Sequence, residues 1–212
     1  QGGTAFLSEL AELLGTEHIM KRRAATPEVY EQISAVLSHT EDVLERMTKD
    51  YVRTSEQAAL VTPGNFDGGV SSVSEKALGG IHKSGSCKFV GVVGYAEQPK
   101  GTGLYLMAAA GDDSDIATSL VAGGAQIIAF TTGRGTPTGF PGVPVLKITG
   151  NSKTYRNMED DMDYNAGRVM DGEITLEQAG QEIYQEILKI AGGKPTKAEV
   201  LGHDELFSIG RY

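Results

Sequence analysis

The amino-acid sequence predicts an α/β fold: a Rossmann-like, mainly parallel sheet flanked by helices. Residues 127–130 and 143–148 are short apolar runs rich in β-branched side chains, the pattern of strands buried on both faces of a parallel sheet. A helical pattern precedes the first run, and a helix followed by a strand within about fifteen residues is typical of a βαβ unit. Glycine supplies 28 of the 212 residues, which indicates many tight turns between elements.

The first elements follow from capping residues and apolar spacing. Residues 4–7 are a strand candidate, and Ser8 is predicted to cap a short helix with three leucines on one face. Thr26 and Pro27 then begin the clearest long helix, because proline is favoured at the first helical position. Its apolar residues recur at three- and four-residue spacing: Val29, Ile33, Val36, Leu37, Leu44, Met47 and Tyr51.

Two helices and two strands are predicted in the middle of the chain. A capping box that starts at Ser72 begins one helix, and a second helix begins at residue 114 or 115. Residues 89–93 form a buried strand, while residues 104–107 form a shorter strand or an extended edge. Cys87, just before the first of these strands, is predicted to be buried as a small apolar residue.

The last part of the chain is predicted to contain a long amphipathic helix. It starts at a capping box formed by Thr175 and Gln178 and ends at Gly192. The tail, residues 200–212, is predicted to add an edge strand. The length suits one domain or slightly more, and we divide it into a helical part at residues 1–62, a strand plus two helices, and an α/β domain at residues 63–212.

Composition excludes several functional classes. The net charge of −9 argues against a nucleic-acid or anionic-membrane partner, because both are held mainly by Lys and Arg. A single cysteine excludes an internal disulfide and a multi-thiolate metal site, and favours a cytoplasmic location. No apolar run reaches the roughly 18 residues that cross a bilayer. The chain begins at Gln1 without methionine and is predicted to be a fragment of a longer protein.

An anion site is predicted where two adjacent strands end. Open α/β sheets bind ligands at the carboxyl ends of their strands. Arg134 follows one predicted strand and Lys147 lies in the next, among glycines and threonines. The alternative is a tight surface crossover with an arginine that has no ligand.

A second candidate site is the glycine-rich turn at residues 64–69. It precedes a capped helix, so its backbone N–H groups and the helix N-terminus are placed to face an anion. The turn has neither the Walker nor the dinucleotide-binding spacing. The alternative is a plain turn between two elements. His82, near this turn, is the only histidine that we weigh as a general base.

The acidic cluster Glu159, Asp160, Asp161 and Asp163 has the oxygen ligands that a hard divalent cation prefers. Asp163 is its best single candidate. The alternative is a solvated charged surface, which is the usual role of a charge run.

Several sequence blocks carry a resemblance. In chain order they are PGNFDGG at residues 63–69, EKALG at 75–79, Lys83 with Gly85, YAE at 95–97, FTTGRGTP at 130–137, Lys147 with Asn151 and Ser152, and DYNAG at 163–167. Together they resemble the C-terminal domain of the altronate and galactarate dehydratases, a family of sugar-acid lyases. Residues before 63 share only the family's layout of GGT, strand and helix.

The resemblance implies removal of water from a sugar acid to give a 2-keto-3-deoxy acid, with a divalent metal that is typically iron(II), Fe2+. It also implies an upstream catalytic region of the same protein, which supplies most metal ligands. The sequence departs from the sugar-acid dehydratases at residues 138–142 and lacks their His-Trp before the DYNAG block. Sulfolactate lyases, which expel sulfite, share the fold family and remain an alternative, as does a non-catalytic module that binds small anions. A homo-oligomer is compatible with each of these functional hypotheses.

Site residues follow from the same resemblance. A small hydroxy-acid substrate is expected to contact Gly64, Asn65, Gly68, Gly69, Thr132, Arg134, Gly135, Thr136 and Asn151. The catalytic candidates are Lys147, Lys83 and His82, and Asp163 is the one metal-ligand candidate within this chain. Arg134 is expected to clamp the substrate carboxylate, because guanidinium and carboxylate match in bidentate geometry.

Overall fold

The computed structural model describes residues 2–51, 65–66, 70–109, 112–205 and 208. They form two compact units that divide between Gly124 and Ala125, with Ser208 belonging to the first unit. Each unit contains a three-stranded parallel sheet with helices, so the predicted α/β class with parallel strands is confirmed. The domain boundary predicted at residue 63 lies outside the described residues and stays a prediction.

The first unit has the strand order β1-β3-β2, with all strands parallel. The strands are β1 (Thr4–Leu7), β2 (Phe89–Val93) and β3 (Gly103–Met107). Of the two alternatives predicted for residues 104–107, the strand is confirmed and the extended edge is wrong, because β3 pairs on both sides and is the central strand. Leu106 and Met107 are fully buried there.

Helices cover the first sheet and complete its core. They are a 3₁₀-helix (Leu10–Leu13), α1 (Glu17–Arg23), α2 (Pro27–Tyr51), α3 (Val73–His82) and α4 (Asp113–Ala122). The long helix α2 is confirmed, and α1 was not predicted. The Ser8 cap is wrong: Glu9 precedes the 3₁₀-helix instead. The buried core of this unit includes Leu13, Met20, Ile33, Leu37, Ile81, Phe89 and Leu106.

The second unit has the strand order β4-β5-β6, again all parallel. Its strands are β4 (Ile128–Thr132), β5 (Val145–Thr149) and β6 (Tyr164–Asn165). Thr132 and Thr149, the last residues of β4 and β5, are register partners. The predicted adjacency of these two strand ends is therefore confirmed.

Three α-helices and one further 3₁₀-helix complete the described part of the second unit. They are α5 (Ser152–Asn157), a 3₁₀-helix (Ala166–Val169), α6 (Leu176–Ala191) and α7 (Lys197–Leu201). The capping box of Thr175 and Gln178 is confirmed at the start of α6. The tail prediction is wrong for residues 200 and 201, which belong to α7.

The predicted βαβ unit around α4 is also wrong. The strand before it, β3, pairs with β1 and β2, whereas the strand after it, β4, pairs with β5. The two strands therefore belong to different sheets. Within the described ranges, no helix combines the length and the apolar character that a bilayer span requires.

Candidate functional sites

The first candidate site is the Arg134 loop, residues 133–138, which directly follows β4. Its start is fixed by two hydrogen bonds: Gly135 N donates to Thr132 Oγ1 at 3.1 Å, and Thr154 Oγ1 donates to Gly133 O at 2.9 Å. The second bond ties the loop to α5. These bonds give the backbone on both sides of Arg134 a defined conformation.

Gly135 is required by this geometry. Its φ of +81° is a left-handed backbone conformation that residues with a side chain rarely adopt. A Cβ at this position would lie 2.4 Å from Met158 Sδ. The absence of a side chain at Gly135 therefore lets the loop backbone approach α5 closely.

The far end of the loop is held from inside the unit. The hydroxyls of Thr136 and Thr138 are buried and lie 2.7 Å apart. The carbonyl oxygen of Pro137 accepts a hydrogen bond from Lys147 Nζ at 3.1 Å, and it lies 2.8 Å from His203 Nδ1. Two polar side chains from separate parts of the unit thus converge on one carbonyl group.

Arg134 itself is exposed. Its guanidinium forms no hydrogen bond or ion pair with another residue in the described part of the chain. An exposed cation on a fixed loop at the carboxyl edge of a parallel sheet is available to bind an anion.

Lys147 occupies a different position from the predicted one. It is the middle residue of β5 and has 0% exposure, so the expectation that it lies at a strand end beside Arg134 is wrong. Burial lowers the pKa of its ammonium group, while the nearby carboxylates of Asp163 and Asp161 oppose that shift. Its hydrogen bond to the carbonyl oxygen of Pro137 stabilises the Arg134 loop. Its catalytic role stays a prediction.

Asn151 follows β5 as Arg134 follows β4. Its Oδ1 accepts hydrogen bonds from Lys153 N at 2.9 Å and Thr154 N at 3.2 Å, which caps α5. The amide nitrogen is not needed for this cap. Asn151 can therefore position α5 and still donate a hydrogen bond to a ligand.

Asp163 joins two elements of the second unit. Its Oδ2 accepts from Lys147 N and its Oδ1 accepts from Lys197 N, both at 2.8 Å. No group of three or more His, Cys, Asp or Glu side chains among the described residues is arranged to hold a metal ion. The described residues thus do not fit a metal site, and the iron ligands predicted in the rest of the protein stay a prediction.

The site residues predicted in the first unit are only partly described. Gly64, Gly68 and Gly69 lie outside the described residues. Asn65 is half-buried, and its carbonyl oxygen accepts a hydrogen bond from Val70 N at 3.0 Å. His82, in the last turn of α3, is exposed.

Lys83 belongs to a second candidate site that the sequence did not reveal, the Glu9 cluster, formed by Glu9, Glu12, Lys76 and Lys83. Glu9 lies two residues after β1, at the carboxyl edge of the first sheet. Glu12 pairs with Lys76 Nζ at 2.8 Å and lies 3.7 Å from Lys83 Nζ. The cluster therefore combines two carboxyl groups with two ammonium groups.

Helix packing brings these charges together. A Cβ on Gly80 of α3 would lie 2.8 Å from the carbonyl oxygen of Glu12, so only glycine permits this approach of α3 to the 3₁₀-helix. Lys76 lies in α3, and Lys83, seven residues later, is the C-cap directly after it. Seven residues are about two helical turns, so both lysines lie on the same side of the helix axis. The close approach thus places both lysines beside Glu12.

The environment of Glu9 favours the protonated acid. Burial, followed by the charge of Glu12 and a side-chain hydrogen bond with Glu12, raises the pKa of Glu9 to about 7, against the opposing charges of Lys83 and Lys76. The pKa of Asp113, at the start of α4, is also raised by burial and by the charges of Asp112 and Glu12. A pKa near neutrality suits a group that exchanges protons.

We expect Glu9→Gln to stabilise the protein in a pH-dependent way. Between the ordinary pKa of 4.5 and about 7, the folded state binds more protons at Glu9 than the unfolded state, so wild-type stability falls as pH rises through this window. Urea unfolding should show the variant to be more stable by about 1–3 kcal/mol at pH 8, with the difference closing towards pH 4.5. A difference that does not vary with pH would contradict the assignment.

A cleft of about 470 Å³ lies between β6 and α6. Both of its glutamates are paired: Glu182 pairs with Arg168, and Glu186 pairs with Lys189 and Lys194. The cleft therefore offers little unpaired charge to a small acid.

Cys87 is exposed, so the prediction that it is buried is wrong. Cys87 lies two residues before β2. The guanidinium of Arg23 lies 4.8 Å from the centre of the Phe89 ring and donates a hydrogen bond to the carbonyl oxygen of Cys87. No structural feature marks this thiol as a nucleophile.

Comparison with known proteins shows a family match over the entire chain. Residues 1–212 match the family described as D-galactarate/altronate dehydratase, C-terminal. The (2R)-sulfolactate sulfo-lyase subunit beta of Chromohalobacter salexigens is 35% identical over 206 residues, which cover 97% of this chain and 52% of that protein.

Two dehydratases are similar to the same extent. Galactarate dehydratase (L-threo-forming) of Escherichia coli is 36% identical over 193 residues, or 91% of this chain and 36% of that protein. Altronate dehydratase of Bacillus subtilis is 33% identical over 208 residues, or 97% of this chain and 40% of that protein. The chain thus spans about half or less of the length of these relatives, all of which are lyases by name.

Proposed function

Because this chain belongs to the D-galactarate/altronate dehydratase C-terminal family, we propose that it is part of a lyase that dehydrates a sugar acid such as altronate or galactarate. The product is a 2-keto-3-deoxy acid. Within this reaction, the Arg134 loop binds a carboxylate of the substrate. The remaining catalytic groups come in part from the rest of the protein.

The chemistry explains why a fixed cation is useful. Loss of a proton next to a carboxylate places negative charge on the acid oxygens. Positive groups and N–H donors held around those oxygens stabilise that charge, often by several kcal/mol. Arg134 supplies a bidentate donor, and Asn151 supplies an amide at the neighbouring strand end.

The observation that carries this proposal is the contrast between Arg134 and its loop. The guanidinium is exposed and forms no ion pair with the described residues, whereas the backbone on either side is fixed by Thr132, Thr154 and Lys147. A cation that serves only solubility would not need such support. This arrangement is suited to preorganised anion binding.

We propose that the divalent metal, Fe2+, is held by residues outside the described part of this chain, since the described residues form no cluster of metal ligands. A bound metal would supply Lewis-acid polarisation of the leaving hydroxyl. A cytoplasmic location, which the single cysteine favours, forms part of the same proposal, as does self-association.

The test is Arg134→Ala in the full-length protein. We expect kcat/KM for the sugar acid to fall about 30-fold or more, equal to roughly 2 kcal/mol for one charge-assisted contact, with Arg134→Lys intermediate. Arg22→Ala, which removes an exposed arginine from the first unit, is the matched control. Equal kcat/KM values for Arg134→Ala and wild type would reject the role.

A sulfo-lyase reaction is the second candidate, favoured by the 35% identity to the sulfolactate sulfo-lyase subunit over 97% of this chain. Incubation of the full-length protein with sulfolactate, galactarate and altronate separates the two: sulfite release identifies the sulfo-lyase, and a 2-keto-3-deoxy product identifies the dehydratase. If calorimetry shows equal binding of these acids to this chain and to the full-length protein, and neither turns them over, the chain is a non-catalytic anion-binding module.

A further inference from the structure

We propose that this protein forms a dimer in which helix α6 crosses the α6 helix of a second copy in antiparallel orientation. The contact surface is the α6 stripe, formed by Leu176, Gly180, Tyr184 and Leu188. The inference assigns a surface to the self-association proposed above, and it does not depend on which acid the protein acts on.

The α6 stripe is an exposed apolar row on a helix that already has a buried apolar face. Its members recur every four residues, so they lie in one row along the helix surface. Leu176 is 78% exposed, Leu188 47% and Tyr184 38%. The buried face packs into the core of the second unit through Ile183, Ile187 and Ile190. A second, exposed apolar face on such a helix indicates an interaction surface.

Gly180, inside the stripe, is not explained by packing within the chain. Glycine weakens a helix interior relative to alanine. A Cβ at position 180 would meet no atom within 4 Å, so the described part of the chain does not require glycine there. The missing side chain is useful where a second backbone approaches closely. Gly180 is therefore suited to the point where α6 crosses another helix.

The order of large and small residues makes the stripe complementary to itself. In an antiparallel pair centred near residue 182, Tyr184 of each copy covers Gly180 of the other, and Leu176 lies opposite Leu188. A two-fold dimer uses the same patch on both copies, so each contact forms twice. Two rows with four-residue spacing pack together at a crossing angle of about −50°, the commonest class for helices.

The charges beside the stripe favour the same antiparallel arrangement. The next exposed row contains Glu177 in the first turn of α6, Gln181, Gln185, and Lys189 in the last turn. An antiparallel crossing brings Glu177 of one copy near Lys189 of the other, whereas a parallel one would bring like charges together. Lys189 also pairs with Glu186 of its own helix, but its side chain is 57% exposed and can reach both carboxylates. This charge order is the reason to assign a second copy as the partner.

The main test is Gly180→Lys in the full-length protein, with the dimer Kd measured by sedimentation velocity over about 1–100 μM. Wild type should dimerise in this range, and the variant should raise the Kd about tenfold or more, because a lysine blocks the close crossing. The Tm of the monomers should be unchanged or higher, since lysine is a better helix former and meets no atom there.

Ala35→Lys is the matched control. It makes the same change in charge at an exposed position of α2, and it should leave the dimer Kd unchanged.

Two further variants test the stripe and its orientation. Leu176→Gln removes an exposed leucine from both copies, so it should also raise the Kd about tenfold or more. Glu177→Lys should raise the Kd about threefold, because it faces Lys189 of the other copy, and adding Lys189→Glu should reverse this increase. A double variant that dimerises no more tightly than Glu177→Lys overturns the antiparallel arrangement.

Three results would overturn the surface itself. The first is a wild-type protein that stays monomeric up to about 100 μM. The second is dimerisation of Gly180→Lys and Leu176→Gln as tight as that of wild type. The third is a lower Tm of Gly180→Lys with an unchanged Kd, which would show that another part of the same protein covers the stripe. A monomeric protein that still dehydrates a sugar acid rejects this dimer and leaves the proposed lyase function intact.

Discussion

Gly139→Ala is expected to lower the free energy of unfolding of the second unit by about 3 kcal/mol or more. A Cβ on Gly139 would lie 1.8 Å from the carbonyl oxygen of His203 and 3.0 Å from Ala198 Cβ. The obstacle is mainly backbone, which cannot move aside as a flexible side chain can. The segment after α7 would have to separate from the end of the Arg134 loop.

Gly133→Ala is the matched control for this prediction. It lies in the Arg134 loop, six residues before Gly139, and a Cβ there would meet no atom within 4 Å. Urea unfolding of the whole protein, followed by circular dichroism, should show a lower midpoint for Gly139→Ala and a near-wild-type midpoint for Gly133→Ala. Equal midpoints for the two variants would show that the loop and the segment after α7 do not pack as described.

Lys147→Ala is expected to cost about 3–5 kcal/mol of stability, the second large effect. Lys147 is fully buried in β5, so the truncation leaves a cavity where three methylenes and the ammonium group were, and it removes the donor to Pro137 O. Lys147→Met keeps most of the volume and loses only the ammonium, so its cost should be about 1–2 kcal/mol. Urea unfolding of both variants beside wild type measures the difference.

The activity of Lys147→Met then separates two roles of this lysine. If Lys147 only holds the Arg134 loop, the variant should keep measurable kcat with a raised KM, because the carboxylate contact loses its position. If Lys147 is a base, kcat itself should collapse. Equal stability of Lys147→Ala and Lys147→Met would contradict the buried position in β5.

The Arg134 loop shows what local patterns in the sequence can predict. An apolar run followed by small residues and a cation identified the end of β4, and parallel pairing put Thr132 level with Thr149 of β5. The requirement for glycine at position 135 is likewise local, since it follows from a tight turn against α5. These features depend on neighbours within a few tens of residues.

Features that depend on distant contacts were missed. Every residue of β5 is buried, so the sequence of this strand does not alternate between apolar and polar residues. It therefore gave no indication of which way the Lys147 side chain points. The central position of β3 depends on pairing with β1, about a hundred residues earlier in the chain. Glu9 could not be recognised either, because a left-handed glutamate beside a second carboxylate has no local sequence signature.

The most direct measurement of the central claim compares a carboxylate ligand with its neutral carboxamide. The Kd values of the substrate acid and its amide should be determined for the full-length wild type and for Arg134→Ala. If the guanidinium of Arg134 binds the carboxylate, wild type should prefer the acid by about 2 kcal/mol, and most of this preference should vanish in the variant. An acid preference that is the same in both proteins would contradict the claim.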